Sequence, residues 1–320
     1  MMKRITSLLL GLIMAAPATW GSYLDHPKAE QFIRQLVAED GFREADVRRW
    51  LDAAEKQPKI LEAIARPAER VLEWRDYRKI FLTHDRIEKG RAFLKAQQPT
   101  LERAEGTFGV PKRIITAIVG VETRYGRHKG GYRVVDALST LAFDYPPRSA
   151  FFGKELREFF LMTREQKMDP LTVKGSYAGA MGYGQFIPSS YRRYAVDFDG
   201  DGVANILTNV EDAIGSVANY FAEHGWKKGQ PVAVRVSPKT PVADEWLPGK
   251  QKPVHTLAQL KTIGITDPLG QPGDTPARLI RLEGEQGTEY WLTFHNFYVI
   301  TRYNHSDMYA MAVYQLSEAY

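Results

Sequence analysis

A single glutamate, Glu122, follows a run of aliphatic residues in "RIITAIVGVETRYG", Arg113 to Gly126. The spacing predicts a helix. Pro111 suits a first turn, Gly126 suits a stop, and Glu122 shares a face with Ile115, Ile118, Val119 and Tyr125. A carboxylate on an apolar face loses hydration, which disfavours its charged form. A glutamic acid held that way can give its proton to a leaving-group oxygen, the general-acid task. The alternative is a helix-end glutamate whose head reaches water or pairs with Arg124 or Arg127.

Two further stretches carry chemistry. In "GSYAGAMGYGQFIPSSY", Gly175 to Tyr191, glycines permit close backbone approach, and Ser176, Tyr177, Tyr183 and Gln185 offer hydroxyls, rings and an amide. Such a surface suits sugars, although small residues also serve close helix packing. "DFDGDGVANILT" begins as an EF-hand loop does, with Asp197, Asp199 and Asp201 as side-chain ligands and Gly202 at the sharp turn. Val203 would lend its carbonyl, and Asn205 stands at the ninth position. Thr208 takes the twelfth position, where a bidentate glutamate is expected, so Asp212 or Glu211 would have to close the cage. The pattern points to a hard cation, calcium or sodium in its place, in a structural role. Thr208 could also cap the following helix, with Glu211 as its partner in a capping box.

Other chemistries find no residues. The histidines form no H-E-x-x-H pair, and there is no G-x-S-x-G elbow, G-K-[ST] phosphate loop or G-x-G-x-x-G turn. Cysteine is absent, which excludes disulfides, thiolate metal sites, a cysteine nucleophile and a lipoprotein anchor. No block of Lys or Arg marks a nucleic-acid surface.

The elements that must position these residues are mostly helical. Residues 1–18 read as a secretory leader: Lys3 and Arg4, an apolar run from Leu8 to Ala16, and an A-x-A site at Ala16-Pro17-Ala18. The run is shorter than the ~18 apolar residues that span a bilayer, so the expectation is an exported, soluble protein without a membrane anchor. Losing Lys3 and Arg4 lowers the formal charge from +5 to +3, a slight excess that decides little. Residues 19–105 have helical periodicity; "AEQFIRQLVAEDG" carries Phe32, Leu36 and Val37 on one face and closes on Gly41. Residues 106–229 hold the chemical motifs. Residues 230–294 turn β-rich, with two strands expected around Glu283 to Gly287, and 295–320 return to helical spacing and pack back on the middle segment.

Taken together, "VGVETRYG", "GSYAGAMGYGQFIPSSY", "AVDFDGDG", "DAIGSVANYFAEHGW" and "NFYVITRYNHSDMYAMAV" resemble the lytic murein transglycosylase B family, in order from about Tyr23 onward. The resemblance implies an α+β, mainly helical fold. It would comprise a lysozyme-like core with an EF-hand-like loop, an N-terminal helical domain and a small β-rich insertion. It implies cleavage of the MurNAc–GlcNAc bond of peptidoglycan with a 1,6-anhydromuramoyl product, in the periplasm, on glycan strands and alongside cell-wall synthesis proteins. The family's catalytic glutamate falls on Glu122 and the serine beside it on Ser176. Sugar-site positions fall on Gln185, Tyr220, Tyr303 and Tyr309, and groove positions on Tyr77 and Arg148. Thr208 departs from the pattern at the metal loop. The missing cysteine departs from the lipoprotein relatives and implies a soluble periplasmic member. No second carboxylate accompanies Glu122 in a compelling pattern, although glycosidases typically use two; the resemblance implies that the 2-acetamido group supplies the nucleophile. A water-using muramidase and a non-catalytic glycan-binding scaffold are the competing functions.

Overall fold

The computed structural model describes residues 22–65, 72–249 and 252–320. The expected leader lies outside the described residues.

Helix ends follow local chemistry. α1 (Ala29–Asp40) closes on Gly41 at φ 67°, whose amide donates to the Leu36 carbonyl, as the sequence led one to expect. α2 (Glu44–Ala53) and α3 (Pro58–Ile64) follow, then α4 (Trp74–Phe81), α5 (His84–Ala96), α6 (Gln98–Phe108) and α7 (Lys112–Thr123). The first helices are pinned to α8 (Val134–Asp144) and α9 (Ser149–Glu165) by half-buried polar links. Asp136 accepts from the Glu55 amide, Tyr23 OH donates to Asp144, and Arg157 grips Asp40 through two bonds of 2.7 and 2.8 Å.

α7 is the axis of the molecule. Ile114 through Val121 are buried, and α5, α6, α14 (Asp307–Glu318) and α11 (Val210–Glu223) pack around it. A helix apolar on every side belongs inside a core. Side chains from the N-terminal helices, the middle segment and the tail join one hydrophobic cluster.

A short antiparallel pair, β1 (Tyr132–Arg133) with β2 (Lys174–Gly175), and α10 (Pro188–Tyr194) frame the glycine-rich loop. The β-rich segment forms a four-stranded antiparallel sheet in the order β3 (Ala233–Val236), β6 (Gly287–Thr293), β5 (Pro276–Gly284), β4 (His255–Thr256). The expected hairpin is present, with Gly284 paired to Gly287. α12 (Leu257–Thr262) follows β4, and the sheet has its own apolar cluster, with Leu260, Leu279 and Leu292 fully buried. Arg278 of β5 makes a bidentate bond to Asp307 at the start of α14, so the sheet is clamped to the tail by an ion pair whose arginine is buried and whose aspartate is half-buried. α13 (His295–Tyr303) leads from the sheet into that tail.

Candidate active site

Glu122 lies in the last turn of α7, but the helix does not run on to Gly126. It ends at Thr123, and Arg124 and Tyr125 both adopt left-handed conformations, at φ 50° and 61°. The Tyr125 amide reaches back to the Val119 carbonyl, a tight C-terminal turn made without glycine. Each such residue costs about 1–2 kcal/mol, and the surroundings over-determine the turn. Thr123 Oγ1 donates to the Tyr183 carbonyl and accepts from the Gly126 amide. Tyr125 OH donates to the Arg86 carbonyl at 2.7 Å and lies 2.9 Å from Tyr320 OH. Gly120 makes room for that ring, since a Cβ there would sit 2.7 Å from it. Tyr125 therefore leaves the helical face that spacing alone assigned to it.

Ile115, Ile118 and Val119 are fully buried while Glu122 is only partly buried. The apolar stripe ends at the carboxylate instead of enclosing it. At a helix C-terminus the carboxylate also meets the negative end of the helix dipole, which opposes its charge. Its partner comes from α14: Tyr309 OH donates to Glu122 Oε1 at 2.5 Å, and the Tyr309 side chain is 3% exposed.

The tyrosines form a packed wall. Tyr303 and Tyr309 lie nearly parallel, with centroids 6.5 Å apart, and Tyr220 meets Tyr303 edge-on at 4.8 Å. Their hydroxyls are already committed: Tyr303 donates to the Gly184 carbonyl at 2.5 Å and Tyr220 to the Arg302 carbonyl at 2.6 Å. Burial, and after it the nearby Glu122 charge, push both Tyr303 and Tyr309 well above the ordinary tyrosine range. These phenols stay neutral donors. What Tyr220 and Tyr303 offer a ligand is ring surface. Tyr77, on α4, is buried, near enough to Tyr309 for ionisation of one ring to disfavour ionisation of the other.

The glycine-rich loop sits opposite. Gly184 allows the Tyr303 hydroxyl to approach, for a Cβ there would stand 2.7 Å from it. Gln185 follows at φ 51°, with Nε2 donating to the Gly182 and Lys129 carbonyls. Ser176 Oγ accepts from the amides of Ala178 and Ala180 and thereby shapes its own turn, while Tyr177 is exposed. Gln185, Tyr220, Tyr303 and Arg148 line one pocket of about 560 Å³. Phe186, Tyr194, His224, Arg302 and His305 also line it and were not singled out by sequence. Tyr220 and His224 are four apart on α11 and stack at 4.0 Å, a spacing that could have flagged the histidine.

At the aspartate loop, carboxylate oxygens of Asp197, Asp199 and Asp212 all lie within 4.8 Å of one another; Asp201 is not in that group. Asp212 is fully buried and accepts from the Phe198 and Asn205 amides, tying the loop to α11. Asp201 accepts from the Val203 amide, and the Val203 carbonyl accepts from the Asn205 amide. Helix α11 is capped by Asn209, whose side chain accepts from the Glu211 and Asp212 amides. The proposed Thr208–Glu211 cap is therefore not formed. Asn is at least as good a cap as Thr, and Thr208 is instead bonded to Asn205. The oxygen-rich donor set fits a hard cation.

The sequence profile of the transglycosylase SLT domain matches residues 25–318. Membrane-bound lytic murein transglycosylase B of Escherichia coli (strain K12) is 45% identical over 310 residues, covering 93% of this chain and 84% of that protein. The crystal structure of soluble lytic transglycosylase SltB1 from Pseudomonas aeruginosa superposes with a TM-score of 0.87 at 48% identity, covering 92% of this chain and 98% of that one. Escherichia coli lytic transglycosylase Slt35 in complex with calcium gives 0.85 at 45% identity, covering 93% and 94%.

Proposed function

The chain belongs to the transglycosylase SLT domain family, and from that premise we propose how its residues divide the work. It is a lytic murein transglycosylase with a lysozyme-like fold, cleaving the β-1,4 MurNAc–GlcNAc bond of peptidoglycan and leaving 1,6-anhydromuramoyl ends.

Glu122 is our catalytic acid and base. The Tyr309 hydroxyl on Oε1 fixes that oxygen as an acceptor, so in the acid form the proton resides on Oε2. Oε2–H protonates the departing GlcNAc oxygen as the MurNAc acetamido carbonyl attacks its own anomeric carbon. The resulting carboxylate takes the proton of the C6 hydroxyl, and O6 closes on the anomeric carbon, expelling the acetamido oxygen. Water is consumed nowhere, and one carboxylate suffices. Tyr220, Tyr303 and Gln185 hold the glycan through rings and an oriented amide, with Tyr177 and Arg148 on the rim and Ser176 shaping the loop. Tyr77 backs Tyr309. The single observation carrying this reading is the Tyr309–Glu122 hydrogen bond beside the tyrosine wall.

Mass spectrometry of muropeptides released from purified sacculi tests it. Wild type should release anhydro ends, and Glu122→Gln should lose turnover by about 10⁴-fold or more while still binding glycan. Reducing MurNAc ends from wild type, heavier by one water, would mean a hydrolase. Anhydro product from Glu122→Gln at a near wild-type rate would mean another catalyst.

Residues 106–229 together with 295–320 form the catalytic core in this reading, 19–105 a helical arm packed on it, and 230–294 a β domain. The separate apolar cluster of the sheet supports the last division. Asp197, Asp199 and Asp212, with Asp201 and the Val203 carbonyl in reach along the loop, hold a structural calcium or sodium ion. The calcium complex of Slt35 supports this. At a hundredfold excess over Kd the ion should add ~2.7 kcal/mol. Melts with calcium and with chelator read it; an unchanged midpoint, or a full calcium shift surviving in Asp199→Ala, removes the ion. Among the described residues no helix is long and apolar enough to cross a membrane. The leader read from residues 1–18 supports export to the periplasm.

A further inference from the structure

The turn behind Glu122 uses two left-handed residues, Arg124 at φ 50° and Tyr125 at φ 61°, and neither is glycine. The local sequence favours a stop on Gly126, which takes φ 84° without a Cβ. What holds Tyr125 against that preference is its hydroxyl, and the direction of each bond there follows from counting hydrogens. A phenol has one. The Arg86 carbonyl, 2.7 Å away, can only accept, so the Tyr125 hydrogen goes to it. Tyr320 OH, at 2.9 Å, is then the donor to the Tyr125 oxygen. The bonds run one way, from Tyr320 to Tyr125 to the backbone of α5. Burial, and after it the neighbouring Tyr125, pushes the Tyr320 phenol far above its ordinary range, so this donor keeps its hydrogen.

Helix α5 is shaped to receive the two rings. Arg86 and Gly90 stand one helical turn apart on it. A Cβ on Gly90 would lie 2.1 Å from the Tyr320 ring and 2.7 Å from Tyr125 OH. Glycine weakens a helix interior, and here the two tyrosines account for its presence. Arg91, the next residue, donates Nη2 to the Ala319 carbonyl at 2.7 Å and fixes the chain just before Tyr320. The segment that follows α14 thus grips the turn behind Glu122, while α14 itself puts Tyr309 on the Glu122 carboxylate. Resting on the assignment of Glu122 as catalyst, we propose that Tyr320 is a positioning residue for the reaction. It acts through Tyr125 to hold the last turn of α7, so that Glu122 meets Tyr309. Its effect belongs to kcat, because it sets where the carboxylate stands and not how the glycan is held.

Tyr320→Phe removes the donor and keeps the ring. The expected result is a fall in kcat for anhydro-product release of about 2- to 10-fold, the equivalent of one neutral hydrogen bond, with KM and melting point nearly unchanged. Hydrogen exchange at the Tyr125 amide, which bonds the Val119 carbonyl, should quicken. On a Tyr309→Phe background the same change should cost less, because the contact it protects is already gone. Gly90→Ala tests the strut from the other side. Its methyl displaces both rings while alanine favours the helix, so kcat should fall at least as far. If that variant fails to fold, Tyr320→Phe still decides. A wild-type kcat in Tyr320→Phe overturns the proposal, as does a loss confined to the melting point or to KM. A near wild-type rate from Glu122→Gln instead overturns the assignment of the catalyst, and leaves Tyr320 with nothing to position.

Discussion

Replacing Tyr309 by Phe separates support of the catalyst from contact with the sugar. The substitution removes one oxygen, the hydroxyl that lies 2.5 Å from Glu122 Oε1, and keeps the ring packed against Tyr303. Hydrogen bonds to charged groups are worth ~1.5–3 kcal/mol, and each 1.36 kcal/mol is tenfold in rate. The expected loss in kcat is therefore about 10- to 150-fold. KM should change little, because the hydroxyl is buried on Glu122 and has no sugar to hold. The assay is steady-state release of anhydro muropeptides, with a thermal melt to confirm folding. On a Glu122→Gln background, adding Tyr309→Phe should cost nothing further, since the two act as one unit. A rise in KM with kcat intact would make Tyr309 a sugar contact, and an unchanged kcat/KM would remove it from catalysis.

The remaining predictions concern support and pH. Gly120→Ala drives a methyl into the Tyr125 ring; the expected cost is ~1–3 kcal/mol of stability, together with a fall in kcat as the turn holding Glu122 shifts, and a wild-type melting point and rate would contradict it. Burial raises the Glu155 carboxyl above its ordinary 4.5, while Ser189 donates to it through amide and hydroxyl. The folded state then holds that proton longer than the unfolded one, so stability is full below 4.5 and declines as pH climbs through the folded value. Glu155→Gln should flatten part of that decline in Tm; an unchanged slope would show that Glu155 does not contribute to it.

Features set by local spacing were legible in the sequence. Glu122 stood out because an acidic residue interrupts an aliphatic helix, and the aspartate loop because its spacing follows that of an EF-hand loop. Gly41 and the β5–β6 hairpin announced themselves through glycine conformation. Where two local signals competed, the reading failed. Gly126 looked like the helix stop, yet tertiary bonds from Thr123 and Tyr125 end α7 earlier on non-glycine residues. Thr208 and Asn209 are adjacent capping residues, and the one whose side chain reaches two amides won. The least legible feature was the pairing of hydroxyls with distant carbonyls and with Glu122. Spacing could not tell that Tyr220 and Tyr303 have bonded their hydroxyls to backbone and present only rings. Such facts belong to the tertiary packing of α11, α13 and α14 with α7 and the glycine-rich loop, and no periodicity encodes them.

Glu122 and the tyrosine that orients it are separated by 187 residues. A ribosome therefore finishes the carboxylate long before it makes the hydroxyl. The turn that follows Glu122 waits as well, for Tyr320 must arrive to meet Tyr125. If Glu122 is the catalyst proposed above, a nascent chain carries that carboxylate without its Tyr309 partner until α14 docks against α7. For a protein that severs the covalent mesh around its own cell, the order of synthesis is itself a safety catch: the blade is forged first and the hinge that opens it last.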